Sequence, residues 1–339
     1  MRSAMGALLL LTTGCFADEV PLRFAITDGW AMPIVTREME EIYAAYGRGE
    51  PSPLPELDIQ YADYAAWQRT HLSGPTLQKL VDYWKGHLEG APTTLELPTD
   101  RPRPPVATNR GAIHRFVYPG ALTERLRALG REEHASVNMV FMAGFNLLLQ
   151  RYSGQDDLVV GTLLGNRNRA ELEPLVGYFV NSGAIRTRLD GDPTFRELVR
   201  QVRTSVLDAD AHQELPFDMV VDALKVPRDP ARNPLFQAMY FHHTFVGSHH
   251  LDDEQAALAG SLNLRSLYQE AEAVLVDTGA SKFDMTWATL EMDSQMPGMV
   301  EYATDLFDDA TIARMVAHLR VLLDEACARP DLPVSMLEM

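Results

Sequence analysis

Cysteine is nearly absent from this chain: Cys15 and Cys327 are the only two in 339 residues. Two thiols cannot build a disulfide framework, so a reducing, cytoplasmic setting is the default reading. Basic residues are also scarce. Thirty Lys+Arg against 47 Asp+Glu leave a formal net charge of −17. That balance excludes nucleic acid as a partner, because phosphate binding needs clustered Lys and Arg. No apolar run is long enough to span a bilayer, so no membrane partner is expected. The sequence has no Gly-Lys-Ser/Thr phosphate loop, no dinucleotide fingerprint and no Gly-x-Ser-x-Gly elbow, and nothing in it calls for a bound nucleotide cofactor. It contains no internal repeat.

What is present is a soluble, globular composition, 46% apolar and 23% charged, with length enough for two lobes. The N-terminus carries two readings. Arg2, the run Ala4 to Leu11 and Thr12-Thr13-Gly14-Cys15 loosely match a lipoprotein export signal with a lipidated Cys15. The preferred alternative is a short buried strand over residues 7–13, since one Arg is a thin n-region and the run is short.

Apolar spacing predicts helices over Trp30–Ala45, through Tyr61–Trp67 and through Leu80–Leu88, with a Gly/Pro/Ser loop at Gly47–Pro55. Four prolines and two arginines within Pro98–Pro105 read as an extended connector. The lobe boundary is placed there, giving lobes of residues 1–105 and 106–339. Strands are predicted at Gly111–Val117, Asp157–Leu164, Ala184–Leu189, Phe236–Phe245, Phe283–Glu291 and Met299–Tyr302. Helices are predicted at Thr123–Arg131, at Met139–Tyr152 closed by Gly154, at Phe195–Ala209 and at Asp308–Ala328, the last capped by Asp308 or Asp309. Alternating strands and helices imply an α/β sandwich with helices on mixed sheets.

Four blocks stand out, in order. They are Tyr61-Ala62-Asp63-Tyr64-Ala65-Ala66-Trp67-Gln68, Val176-Gly177-Tyr178-Phe179-Val180-Asn181-Ser182, His212-Gln213-Glu214-Leu215-Pro216-Phe217-Asp218 and Arg228-Asp229-Pro230-Ala231-Arg232-Asn233-Pro234-Leu235-Phe236. Asn166-Arg167 after Val159-Val160-Gly161-Thr162, and Ser281-Lys282-Phe283-Asp284-Met285, complete the set. Together they closely resemble the motifs of condensation domains from nonribosomal peptide synthetases, over about Ala25 to Ala328. The resemblance implies a two-lobed chloramphenicol-acetyltransferase-like fold, with the N-terminal lobe incomplete because the family's first segment is missing. It also implies amide formation between carrier-bound thioesters in a tunnel entered by phosphopantetheine arms. Peptidyl carrier proteins would deliver those arms, an adenylation domain would be the neighbour, and no cofactor or metal would be bound directly.

The family's catalytic motif, His-His-x-x-x-Asp-Gly, reads Arg23-Phe24-Ala25-Ile26-Thr27-Asp28-Gly29 here. Asp28 and Gly29 remain, while Arg23 and Phe24 fill the two His positions and neither can accept a proton. Gly14 to Phe24 look foreign between two family-like stretches, which suggests a frame error, an insertion or a wrong start. By the resemblance, Asp28 pairs with an arginine of the missing segment. Tyr178, Asn181, Ser182, Arg232, Asn233 and Trp67 line the tunnel. For each, a packing or loop-bracing role is the alternative. His212 is a tempting replacement base in a block whose family role is structural. His242-His243 and His249-His250 lack ligand spacing for a metal site, since neighbours on a strand face opposite ways. Three functions therefore remain open: a damaged condensation catalyst, a silent module that docks carrier proteins or tailoring enzymes, and an exported lipoprotein.

Overall fold

The structure is a computed structural model that describes residues 27–243, 279–291 and 295–339. The strand expected at 7–13, the Cys15 box, Arg23, Phe24 and His249-His250 lie outside those residues, as does the end of the strand expected to reach Phe245.

Two compact units divide the chain. The first comprises residues up to Thr70 together with Arg167–Val180. It is built on α1 (Ala31–Gly47) and α2 (Tyr61–His71), whose last residue falls in the second unit. Pro33 sits in the first turn of α1, where its missing N–H costs no helical hydrogen bond. A short 3₁₀ turn, Ala170–Leu172, completes the unit. Its core is small: Tyr64, Leu172, Leu175 and Phe179 are buried together, with Ile59 and Trp67 packed around them.

The second unit holds His71–Asn166 and Asn181–Met339. Its order is α3 (Gly74–His87), β1 (Gly111–Pro119), α4 (Gly120–Glu132), α5 (Val137–Ser153), β2 (Asp157–Leu164), β3 (Asn181–Arg188), α6 (Phe195–Ala211), α7 (Phe217–Leu224), β4 (Ala238–His243), β5 (Met285–Leu290), β6 (Gln295–Ala303) and α8 (Asp309–Ala328). The six strands form one mixed sheet in the order β1-β6-β5-β4-β2-β3. β2 and β3 pair antiparallel along their full length, and β4 and β5 run parallel. β2 and β4 meet in parallel register at a single pair, Gly161 and Met239. Helix α5 is the centre of the core. Ten consecutive residues, Val140 to Leu149, are buried, as expected for a helix surrounded by structure rather than lying on it. Ser136 caps its start by accepting the Met139 N–H, and Gly154 closes it at φ 72°, a left-handed conformation natural to glycine.

The connector Pro98–Pro105 does not divide the two units; it lies inside the second. Its arginines explain why. Arg101 pairs with Asp308, and Arg103 clasps Asp284 with both terminal nitrogens, so the extended segment is fastened to the sheet unit. The cap of α8 matches expectation in position but not in bonding. Asp308 occupies the N-cap position, but its carboxylate serves Arg101 and caps nothing. The carboxylate of Asp100, again from the connector, accepts the Asp308 N–H at 2.8 Å and the Thr311 hydroxyl at 2.9 Å. Helix α7 has no counterpart among the expected elements.

Candidate active site

Asp28 is 3% exposed, and each oxygen is committed. Oδ1 accepts the Ala31 N–H at 3.1 Å and a guanidinium N–H of Arg167 at 3.2 Å. Oδ2 accepts the Phe179 N–H at 2.9 Å. The aspartate thus fixes the start of α1 and holds it to the segment around Phe179. Among the described residues its arginine partner is Arg167, from the Asn166-Arg167 motif. Arg167 is itself buried, its side chain 2% exposed. It donates to the carbonyls of Leu172 and of Leu175, the latter at 2.9 Å, and lies 4.1 Å over the Phe179 ring. A guanidinium's fork of donors and flat face make both contacts possible at once, which Lys could not do.

Around this pair the first unit is aromatic. Phe179 meets Tyr61 edge-on at 5.1 Å and Tyr64 at 4.7 Å. The Tyr61 hydroxyl donates to the Tyr178 carbonyl at 2.7 Å, and the Tyr61 ring lies against Gly177, where a Cβ would come within 2.3 Å of it. Burial and the Asp28 charge push the Tyr61 hydroxyl pKa up. Trp67 stacks under the Arg169 guanidinium at 4.5 Å, within the same cluster. Tyr178 projects outward, 45% exposed.

In the second unit Asn181 has a role that differs from the expected one. Its amide nitrogen donates to the carbonyls of Gln213 at 2.9 Å and Leu215 at 2.7 Å. Its oxygen accepts the N–H of Ser182 at 2.9 Å and of Phe217 at 3.1 Å. Two donors and two lone pairs exhaust a primary amide, so Asn181 has nothing left for a substrate and instead fastens the His212–Asp218 block. Its neighbour Ser182 is half-buried, with no hydrogen bond to its hydroxyl among the described residues. Gln213, missed by sequence reasoning, is the other buried hub: it accepts the Asn166 N–H at 2.6 Å and donates to Asp210 at 3.0 Å. His212 stacks on Tyr83, centroids 3.6 Å apart and nearly parallel, and its Nδ1 lies 2.7 Å from the Asp208 carbonyl. Those contacts make it a bracing group.

Arg232 pairs with Glu96 at 3.0 Å, and the Asn233 amide donates to the Lys282 carbonyl. Gln237, also missed, is 1% exposed and ties the Thr93–Leu95 segment to the loop before β4 by accepting from Leu95 and donating to Thr93 and Asn233. Only its place one residue before β4 could have signalled it. His242 points into a polar chain: Nδ1 lies 2.8 Å from Thr289 Oγ1 and Nε2 3.4 Å from Glu291, which also binds Arg127. The bond to His242, with Arg127 beside it, holds the Glu291 carboxyl down at about 2. Among the described residues, no group of three or more His, Cys, Asp or Glu side chains could hold a metal ion. No helix among them is long and apolar enough to cross a membrane.

Compared with known proteins, residues 24–339 match the model of the condensation domain. The chain belongs to the condensation-domain family. Two polypeptides of linear gramicidin synthase from Brevibacillus parabrevis are 42% and 41% identical to it, each over 98% of this chain. The chain spans only 6% and 4% of those two relatives, so it corresponds to a small part of each. Among solved structures, the complex of the X-domain and OxyB from teicoplanin biosynthesis matches with a TM-score of 0.76 at 26% identity. That match covers 93% of this chain and 68% of the other. The mixed α/β architecture expected from the motifs is thus that of solved condensation-type domains.

Proposed function

We propose that this condensation domain serves amide-bond formation between acyl groups carried as thioesters on peptidyl carrier proteins, as part of a nonribosomal peptide synthetase beside an adenylation domain. The amine of the acceptor attacks the donor's thioester carbonyl, a C–N bond forms and the donor's pantetheine thiol leaves. The protein's share is to place two phosphopantetheine-borne reactants, manage one proton and steady the oxyanion. The observation that carries the reading is the three-way anchoring of Asp28 by Ala31, Arg167 and Phe179. It keeps the Asp-Gly half of the catalytic motif in a fixed frame. Within the first unit we assign Tyr178, and within the second Ser182, as groups that meet a carrier arm. Trp67 packs in the aromatic cluster beside Phe179, and Arg232 and Asn233 brace the loop before β4.

One sequence observation favours a second reading. Phe24 cannot take a proton, and Arg23 cannot act as a base. A chain so built binds carriers or tailoring enzymes without chemistry. The experiment is to mix the full chain with donor- and acceptor-loaded carriers and read product by mass spectrometry, comparing the natural sequence with an Arg23→His/Phe24→His variant. Product rising about 100-fold or more in the variant, the usual range for a positioned acid–base group, supports the catalytic reading. Equal carrier binding by both chains with no product from either supports the docking reading. No carrier binding by either chain rejects both.

A further inference from the structure

Strand β3 is one edge of the sheet, and side chains cover its free side. The Leu189 N–H donates to the Asp156 carbonyl at 2.6 Å, across the β2–β3 register. Hydrogen-bonded pairs alternate in an antiparallel ladder, so Ala184, Arg186 and Arg188 turn their backbone groups away from β2. An uncovered edge of this kind invites another chain. Helix α6 covers two of the three positions. Gln201 accepts the Arg188 N–H at 2.8 Å, and the Ser205 hydroxyl donates to the Arg186 carbonyl at 3.2 Å. The third, Ala184, is met by His87, the last residue of α3.

The His87 ring is placed for its neutral form. Its Nε2 is shut off from solvent and has no hydrogen-bond partner among the described residues. That leaves Nδ1 for the Ala184 backbone, in a bond that favours the charged ring and so runs from Nδ1–H to the carbonyl. A neutral imidazole with its proton on Nδ1 offers only a lone pair at Nε2. A second proton there would bury a donor and a charge with no acceptor for either. Arg186, which donates to the His87 and Glu89 carbonyls at 3.3 and 2.8 Å, and Arg188 repel that charge as well, while Asp208 on α6 opposes them. Burial is the largest of these effects, and it lowers the His87 pKa. On the face of the ring lies Tyr83, nearly parallel at 5.6 Å, and Tyr83 stacks in turn on His212 at 3.6 Å. We infer that His87 is a proton-sensitive latch: neutral, it pins the last turn of α3 to the edge of β3, and protonation frees that turn. The turn carries more than itself. Trp84 Nε1 donates to the His212 carbonyl at 3.2 Å, and the Gln213 and Leu215 carbonyls of the same block hold Asn181. Acid therefore loosens α3, the block and the start of β3 together. A ring that resists its proton in place and titrates at about 6.5 when released takes up a proton on release, so opening gains up to about tenfold per pH unit below about 6.5 and almost nothing above it.

The test follows hydrogen exchange of the full chain at about pH 7 and about pH 5.5, with rates corrected for the intrinsic effect of pH. Protection of the Trp84 to Leu88 amides should fall about five- to tenfold at the lower pH, in excess of any change at Val140 to Leu149 in α5. His87→Gln keeps an amide donor for Ala184 and cannot titrate, so its protection should be flat over the same range. His212→Phe keeps a ring on Tyr83 and should behave as the parent does. A flat parent, a slope that survives in His87→Gln, or a slope lost in His212→Phe overturns the latch. Should the glutamine variant fail to fold, the NMR titration of the His87 ring in the parent decides. A midpoint below about 6.5 upholds the latch, and one at or above it overturns it.

Discussion

Asp28 and Arg167 form a buried pair whose value depends on both members being present. Taking two charges out of water is costly, and the hydrogen bonds from Ala31 and Phe179 to the carboxylate offset part of it. Arg167→Ala leaves that carboxylate buried without its counter-charge and should destabilise the protein by about 3–5 kcal/mol. Arg167→Lys should recover only part of the loss, because one ammonium cannot reach Leu172, Leu175 and Asp28 together. Denaturant midpoints of the two variants check this. Glu291 gives a pH-dependent case. Its folded pKa, about 2, lies below the ordinary 4.5, so its contribution is fully present above pH 4.5 and is lost as pH falls toward 2. Stability measured from pH 5 to 2.5 should fall less steeply in Glu291→Gln than in the parent. His87 works in the opposite direction from a paired histidine. Burial lowers its pKa, so folding loses ground as pH drops below about 6.5, where the unfolded chain takes up a proton that the folded one resists.

Most elements are legible in the sequence, and the exceptions have physical causes. Strand β2 and helix α8 carry clean periodicity and fall within a residue of expectation. Helix α7 escapes notice because it is eight residues long and follows Pro216, so its one apolar face looks like the end of a loop. The carboxylate that supports the start of α8 is that of Asp100, not of the N-cap residue Asp308, because Asp100 arrives from 208 residues away and local sequence shows only Asp308. Replacing Asp100 by Ala should cost about 1 kcal/mol, in the range of a lost cap, while Asp308→Ala should cost less than half of that. Thermal unfolding of the two variants separates them. The same logic explains the candidate site. Its residue types are visible in the motifs, but the Asp28–Arg167 link joins residues 139 apart, and nothing local to either announces the other. Nor could the sequence show that Asn181 is saturated, since that depends on where the Gln213 and Leu215 carbonyls come to lie.

At the scale of the whole molecule, charge is the dominant property. A net charge of −17 on 339 residues means that compaction brings like charges together. Raising ionic strength from 0.01 to 0.15 M shortens the screening length from about 30 to about 8 Å, so the melting temperature should rise over that range. A flat or falling curve would show that the many surface Arg–carboxylate pairs, which salt weakens, outweigh the general repulsion.

The discontinuous make-up of the first unit has a consequence in time. Asp28 leaves the ribosome before Phe179, whose N–H it accepts and which lies 151 residues later in the chain. At roughly 5–20 residues per second, that gap is on the order of 8–30 s of synthesis. For most of that interval the carboxylate just before helix α1 is made for burial with neither of its distant partners yet in existence. The second unit's β1 and β2 are both synthesised before Arg167 appears, so the nascent chain must make two strands of the sheet before the smaller unit can close at all.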